Sequence, residues 1–128
     1  MKIGFTCSCF DLFHAGHVLM LQEAKTQCDY LIVGLQTDPS IDGRKLRPVQ
    51  SVYERWVQIK ACKYIDEIIP YDTEEDLENL LKTVKIDVRI IGMDYLEKYF
   101  TGIGLHKIYH NRRDHSWSST ELKERIKR

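Results

Sequence analysis

The chain has 128 residues, about one domain's worth, and its 19 basic and 19 acidic side chains cancel to no net charge. Nothing global therefore draws it to nucleic acid or a membrane surface, and any anion binding must be local. No stretch approaches the roughly 18 consecutive apolar residues of a membrane span, and the N-terminus carries no leader pattern, so a cytoplasmic protein of a single domain, residues 1–128, is expected.

Lys2 to Cys7 reads as a buried strand, and Gly16 to about Cys28 as a helix with Val18, Leu19, Leu21 and Ala24 inward. Tyr30 to Leu35 is a second strand, apolar throughout as parallel strands usually are. The segment Thr37 to Gln50, with Pro39, Gly43, Pro48 and the basic Arg44, Lys45 and Arg47, reads as a mobile loop over a site. Ser51 opens a helix to about Lys63, with Glu54 placed for a capping box. Glu67 to Ile69 is a short strand that Pro70 should end. Acidic residues from Asp72 to Glu78 suit the first turns of a third helix. Val88 to Ile91 is a strand, Lys107 to Tyr109 a weaker one, and Ser118 to Lys127 a last helix. This alternation predicts an α/β fold: a three-layer, Rossmann-like domain whose mostly parallel five-stranded sheet carries helices on both faces. Ligands on such sheets bind beyond the carboxyl ends of the strands.

The four cysteines, Cys7, Cys9, Cys28 and Cys62, lie in or beside apolar runs and read as free thiols. Cys7 and Cys9 lack a second Cys/His pair to complete a structural zinc site. Asp11, His14, Gly16 and His17 stand where the first strand turns into the first helix. Helix starts hold unpaired N–H groups and the positive end of the macrodipole, and two imidazoles extend that site toward a phosphate. Gly16 lets a ligand approach the backbone closely. A second helix start, Ser118-Ser119-Thr120 with Arg113 upstream, offers hydroxyls and N–H groups, although serines there often only cap. Asp94 follows a strand and could accept from a sugar or base, or cap a short helix. The P-loop and dinucleotide glycine fingerprints are both absent.

Cys9-Phe-Asp-Leu-Phe-His-Ala-Gly-His17 resembles the His-x-Gly-His motif of the nucleotidyltransferase superfamily, and Arg113 to Thr120 resembles its second motif. Over nearly the whole chain the similarity is to the bacterial glycerol-3-phosphate cytidylyltransferases. The resemblance implies transfer of CMP from CTP to a small phosphorylated alcohol, glycerol 3-phosphate first, giving a CDP-alcohol and pyrophosphate. It also implies catalytic roles for His14, His17 and Arg113, and nucleotide contacts from Cys9, Phe10, Asp11, Gly16, Asp94, Ser118, Ser119 and Thr120. Acceptor contacts would come from Asp38, Arg44, Arg55 and Lys63. Magnesium would bridge the nucleotide phosphates without a side-chain cage, and the chain would form a homodimer. The same motif serves adenylyltransferases acting on a sugar phosphate such as heptose phosphate, and a non-catalytic nucleotide-binding module is a third reading. Departures fall where Ser8 replaces a glycine, Leu46 a basic residue, Lys63 an arginine, and Ser116 and Trp117 the glycine and isoleucine of the second motif. Lysine cannot reproduce an arginine's fork, so acceptor identity is where this chain should differ.

Overall fold

The computed structural model describes residues 1–43, 45–112 and 114–128; the predicted site residues Arg44 and Arg113 lie outside them. Five strands, β1 (Ile3–Ser8), β2 (Tyr30–Gln36), β3 (Glu67–Tyr71), β4 (Val88–Gly92) and β5 (Ile108–Asn111), form one sheet in the order β3-β2-β1-β4-β5. Every pairing is parallel, so the sheet is wholly rather than mostly so. The order reverses between β1 and β4, and that reversal opens a crevice at the carboxyl edge.

Among the described residues four α-helices accompany the strands: α1 (Ala15–Lys25), α2 (Val52–Lys60), α3 (Glu74–Thr83) and α4 (Ser119–Lys127). Strand alternation divides the core between the two faces of the sheet. Leu31, Val33 and Leu35 of β2 join Leu21 and Ala24 of α1 and Ile59 of α2. Ile32 points the other way and joins Phe5 and Tyr71 with Leu77 and Leu81 of α3. Gly34 lies on that second side, where a Cβ would come within 2.9 Å of the Phe5 ring.

Local chemistry sets the helix starts. Ser51 Oγ accepts from Glu54 N–H at 3.2 Å while Glu54 Oε1 accepts from Ser51 N–H at 3.0 Å, the capping box expected of α2. Thr73 and Asp76 form the same reciprocal pair for α3. Such caps are worth about 1 kcal/mol each.

Three element readings are corrected. β3 runs through Pro70 to Tyr71, because β3 is an edge strand and the missing N–H faces no neighbour. α2 ends at Lys60 instead of Lys63. In α1, Leu19 is 42% exposed, since the buried stripe is Gly16, Leu21 and Ala24 and position 19 falls off it. All four cysteines are free.

Candidate active site

The β1–α1 connection is strained where it matters. Phe10 and Leu12 adopt φ of 53° and 52°, a left-handed backbone that side chains other than glycine rarely take. The first of these turns drives the Phe10 ring into the core, where it is fully buried. His14 then caps α1: its Nδ1 accepts from Gly16 N–H at 3.0 Å, and His17 Nδ1 accepts from His14 N–H at 3.2 Å. A ring nitrogen that accepts from an amide carries no proton, so in the neutral form of either ring the proton sits on Nε2. The two rings are 4.0 Å apart, with Phe13 stacked on His17 at 5.5 Å and Phe10 at 5.4 Å. Burial among these rings, with His14 alongside, pulls the His17 pKa down to about 4. At neutral pH His17 is therefore a neutral donor. Gly16 is also required by packing: a Cβ there would lie 2.8 Å from His14 Cε1 and 3.0 Å from His115 Cε1.

These groups open on a pocket of about 540 Å³ that runs along the carboxyl edge of the sheet. Cys9, His14, Gly16 and His17 line it from the β1–α1 connection and the start of α1, and Ser118 and Ser119 line it from the start of α4. The two predicted helix starts therefore share one cavity. Ser118 Oγ accepts from Glu121 N–H at 3.0 Å and caps α4, while Ser119 Oγ donates to the Asp11 carbonyl at 2.7 Å and ties the two starts together. Asp94 also lines the pocket, within the 3-10 turn Met93–Tyr95. That turn begins at Gly92 with no side-chain cap, so of the two roles weighed for Asp94 capping is excluded.

Several predicted contacts fall elsewhere. Arg55 is 1% exposed, and its guanidinium donates to the carbonyls of Gln50 (3.2 Å), Cys9 (3.0 Å), Gln36 (2.7 Å) and Thr37. Its fork is spent on bracing backbone, which excludes the phosphate contact assigned to it. Lys63 follows α2, which runs back from the carboxyl edge, so it lies before β3 at the opposite edge with its Nζ 5.3 Å from the Tyr64 ring. It cannot reach the pocket. Asp38 caps a 3-10 turn, Pro39–Asp42, by accepting from Ser40 N–H at 3.0 Å, and does not line the cavity. Asp11 accepts from the N–H groups of Val49 (2.8 Å) and Gln50 (3.0 Å), so it anchors the loop before α2 instead of facing the nucleotide. The loop read as mobile is thus pinned at both ends. Phe10 is core, and Thr120 is exposed outside the pocket, one turn position beyond the serines.

Gln36, Tyr71, Glu74, Arg89 and Thr101, not singled out from sequence, complete the cavity together with Lys45 of the basic loop and Arg112 and Trp117 beside the second motif. Arg89 is 4% exposed on β4, with its guanidinium 5.1 Å from the Phe100 ring and donating to the Thr101 carbonyl. Thr101 Oγ1 donates to Glu74 Oε1 at 2.8 Å, and Gln36 Nε2 donates to Glu74 Oε2 at 3.4 Å. A charged residue inside an apolar strand, Arg89 in Val88-Arg-Ile-Ile91, was the available signal.

Strand order, crevice and paired helix starts are those of a Rossmann-like nucleotidyltransferase domain. A family model described as cytidylyltransferase-like matches residues 5–125, and the chain belongs to that family. Among curated relatives, the bifunctional protein HldE of Caulobacter vibrioides is 41% identical over 104 residues, 80% of this chain and 21% of that protein. The bifunctional protein HldE of Campylobacter jejuni serotype O:6 is 36% identical over 129 residues, 98% of this chain and 28% of that protein. The chain thus spans between a fifth and a third of the length of these relatives. A solved lipopolysaccharide core biosynthesis protein from Thermoplasma volcanium shares the fold, with a TM-score of 0.66 at 23% identity over 99% of this chain and 87% of that one. No helix among the described residues is long and apolar enough to cross a membrane.

Proposed function

We propose that this domain transfers AMP from ATP to the phosphate of a sugar phosphate, a heptose phosphate first, releasing pyrophosphate. The observation that carries the transferase reading is one pocket lined by two helix starts, with His14 and His17 at one and Ser118 and Ser119 at the other. Two positive helix ends and their N–H groups suit a triphosphate better than any singly charged ligand. The similarity to the proteins named bifunctional protein HldE favours the adenylyl and sugar-phosphate chemistry over CTP and glycerol 3-phosphate.

In this reading an oxygen of the acceptor phosphate attacks the α-phosphorus, a new O–P bond forms, and the bond to the departing pyrophosphate breaks. Such transfers need mainly positioning and neutralisation of charge. His17 Nε2–H would donate to the transferring group without contributing a positive charge, because burial keeps the ring neutral. The start of α4 would hold the outer phosphates, with Arg113 as the resemblance implies. Lys45 would meet the acceptor phosphate in place of Arg55 and Lys63. Magnesium would be carried on phosphate oxygens and water, with the Asp94 carboxylate in the same pocket.

The test is pyrophosphate release in Mg²⁺ with ATP or CTP, each paired with heptose 1-phosphate or glycerol 3-phosphate. Release with ATP and the heptose phosphate is expected. Turnover confined to CTP and glycerol 3-phosphate would restore the cytidylyltransferase reading, and no turnover with ATP and any sugar phosphate would overturn this one.

A further inference from the structure

We infer that Arg89 is a specificity-determining residue for the acceptor, its buried guanidinium receiving the phosphate group of that substrate from inside the pocket. The inference deepens the proposed function and rests on its assignment of the nucleotide phosphates to the α1 and α4 starts.

Arg89 is the second residue of β4 and is 4% exposed. Alternation along the strand sends Ile90 into the cluster packed against α1, so Arg89 faces the other side of the sheet. Its guanidinium lies there near α3, since a Cβ on Gly102 would come within 2.5 Å of Leu81 Cδ1 and 3.1 Å of Arg89 Nη1. A strand covered on both faces needs only apolar side chains, and a charge in one calls for a partner of opposite sign. Among the described residues the partners of Arg89 are all neutral. Nη1 donates to the Thr101 carbonyl, the guanidinium stands 5.1 Å from the Phe100 ring, and the Cys7 thiol beside it is held protonated by burial. Glu74 and Asp94 are the acids lining the pocket among those residues, and Arg89 forms an ion pair with neither. Glu74 accepts instead from Thr101 Oγ1 at 2.8 Å and Gln36 Nε2 at 3.4 Å.

Burying a charge without a counterion is costly, so an anion that completes the site offsets a penalty the fold otherwise carries. Arg89 lines the same pocket as the helix starts, and such an anion reaches it from the ligand side. The planar fork, with N–H groups beyond the one given to Thr101, matches two oxygens of a phosphate. The phosphates of the nucleotide already have the α1 and α4 starts, which Ser119 Oγ ties together through the Asp11 carbonyl at 2.7 Å. The anion left for Arg89 is that of the other substrate. Lys45, exposed on its loop, meets that phosphate as a point charge, whereas the buried fork fixes its orientation.

The test is calorimetric titration of the intact protein in Mg²⁺, with a non-hydrolysable ATP analogue bound so that the nucleotide's own phosphate positions are filled. The two probes are heptose 1-phosphate and inorganic phosphate, and wild type is expected to bind both. Arg89→Met keeps the apolar stem and removes the fork, and should weaken both by about thirtyfold. Arg89→Lys keeps the charge, is the safer variant for folding, and should weaken both by about tenfold. Each variant should hold the ATP analogue within about twofold of wild type, which a merely structural role for Arg89 would not allow. Failure of wild type to bind either probe, unchanged affinity for both in the two variants, or an equal loss for the ATP analogue would overturn the inference. Arg89-dependent binding of inorganic phosphate without binding of heptose 1-phosphate would sink the sugar-phosphate reading and leave the anion site standing. Heptose phosphate binding without pyrophosphate release would sink the transfer reaction alone.

Discussion

His17→Asn separates the two jobs that His17 performs. The asparagine Oδ1 can replace Nδ1 as acceptor from His14 N–H, a bond of 3.2 Å in the protein, while the donor at Nε2 is lost. Loss of one donor to a transferring phosphate should lower kcat about 10²-fold, or about 2.7 kcal/mol. His17→Gln carries its amide nearer the Nε2 position and should recover part of that rate. The buried ring also makes stability depend on pH. Its folded pKa is about 4 against an ordinary 6.5, so the unfolded chain binds more protons between those values. The contribution is fully present above pH 6.5 and is lost as pH falls toward 4, about 2 kcal/mol of it between pH 7 and 5 from that shift. Urea unfolding of wild type and His17→Asn at pH 7 and pH 5 measures this directly. The wild type should lose about 2 kcal/mol more than the variant on acidification, and wild-type kcat should show no inflection from His17 above pH 5. An equal loss in both proteins, or an unchanged kcat in the variant, would refute the argument that burial keeps His17 a neutral donor.

Arg55→Met leaves four backbone carbonyls without their donor, and should cost about 3 kcal/mol in urea unfolding; a cost below about 1 kcal/mol would show that the brace is dispensable. Lys63→Ala should leave kcat/KM within about twofold, whereas Lys45→Ala should raise the acceptor KM about tenfold, a loss of about 1.4 kcal/mol; steady-state kinetics with the reverse ranking would put the acceptor at the other edge of the sheet. Gly16→Ala places a methyl 2.8 Å from His14 Cε1, so thermal melts should show about 1–2 kcal/mol of destabilisation, with kcat falling as His14 is displaced.

Much of the architecture is legible because its causes are local. The capping box at Ser51, the acidic first turn of α3 and the apolar run of β2 are short-range signals, and each lies within a few residues of where the sequence places it. The β1–α1 turn is equally legible, since the apolar strand ends just before the histidines and α1 starts between them, as the sequence places it. Pro70 misleads because its penalty depends on whether a neighbour needs its N–H, and edge position is a property of strand order.

The site divides in the same way. His14, His17, Ser118 and Ser119 were identifiable from sequence because each is tied to a helix start. Arg55 and Lys63 are basic residues near the right place in the chain, yet one points into the core and the other lies at the far end of its helix. Only tertiary structure decides such directions, because they depend on which face a helix buries and which way it runs across the sheet. Glu74, Gln36, Thr101 and Arg89 come from α3, β2, the segment before β5 and β4, and no local pattern links them. The sequence by itself determined an α/β alternation with two histidines and a glycine at the first helix start. The parallel order β3-β2-β1-β4-β5 decided the rest, by bringing the carboxyl ends of distant strands to one edge and making a single cavity of residues that the chain keeps apart.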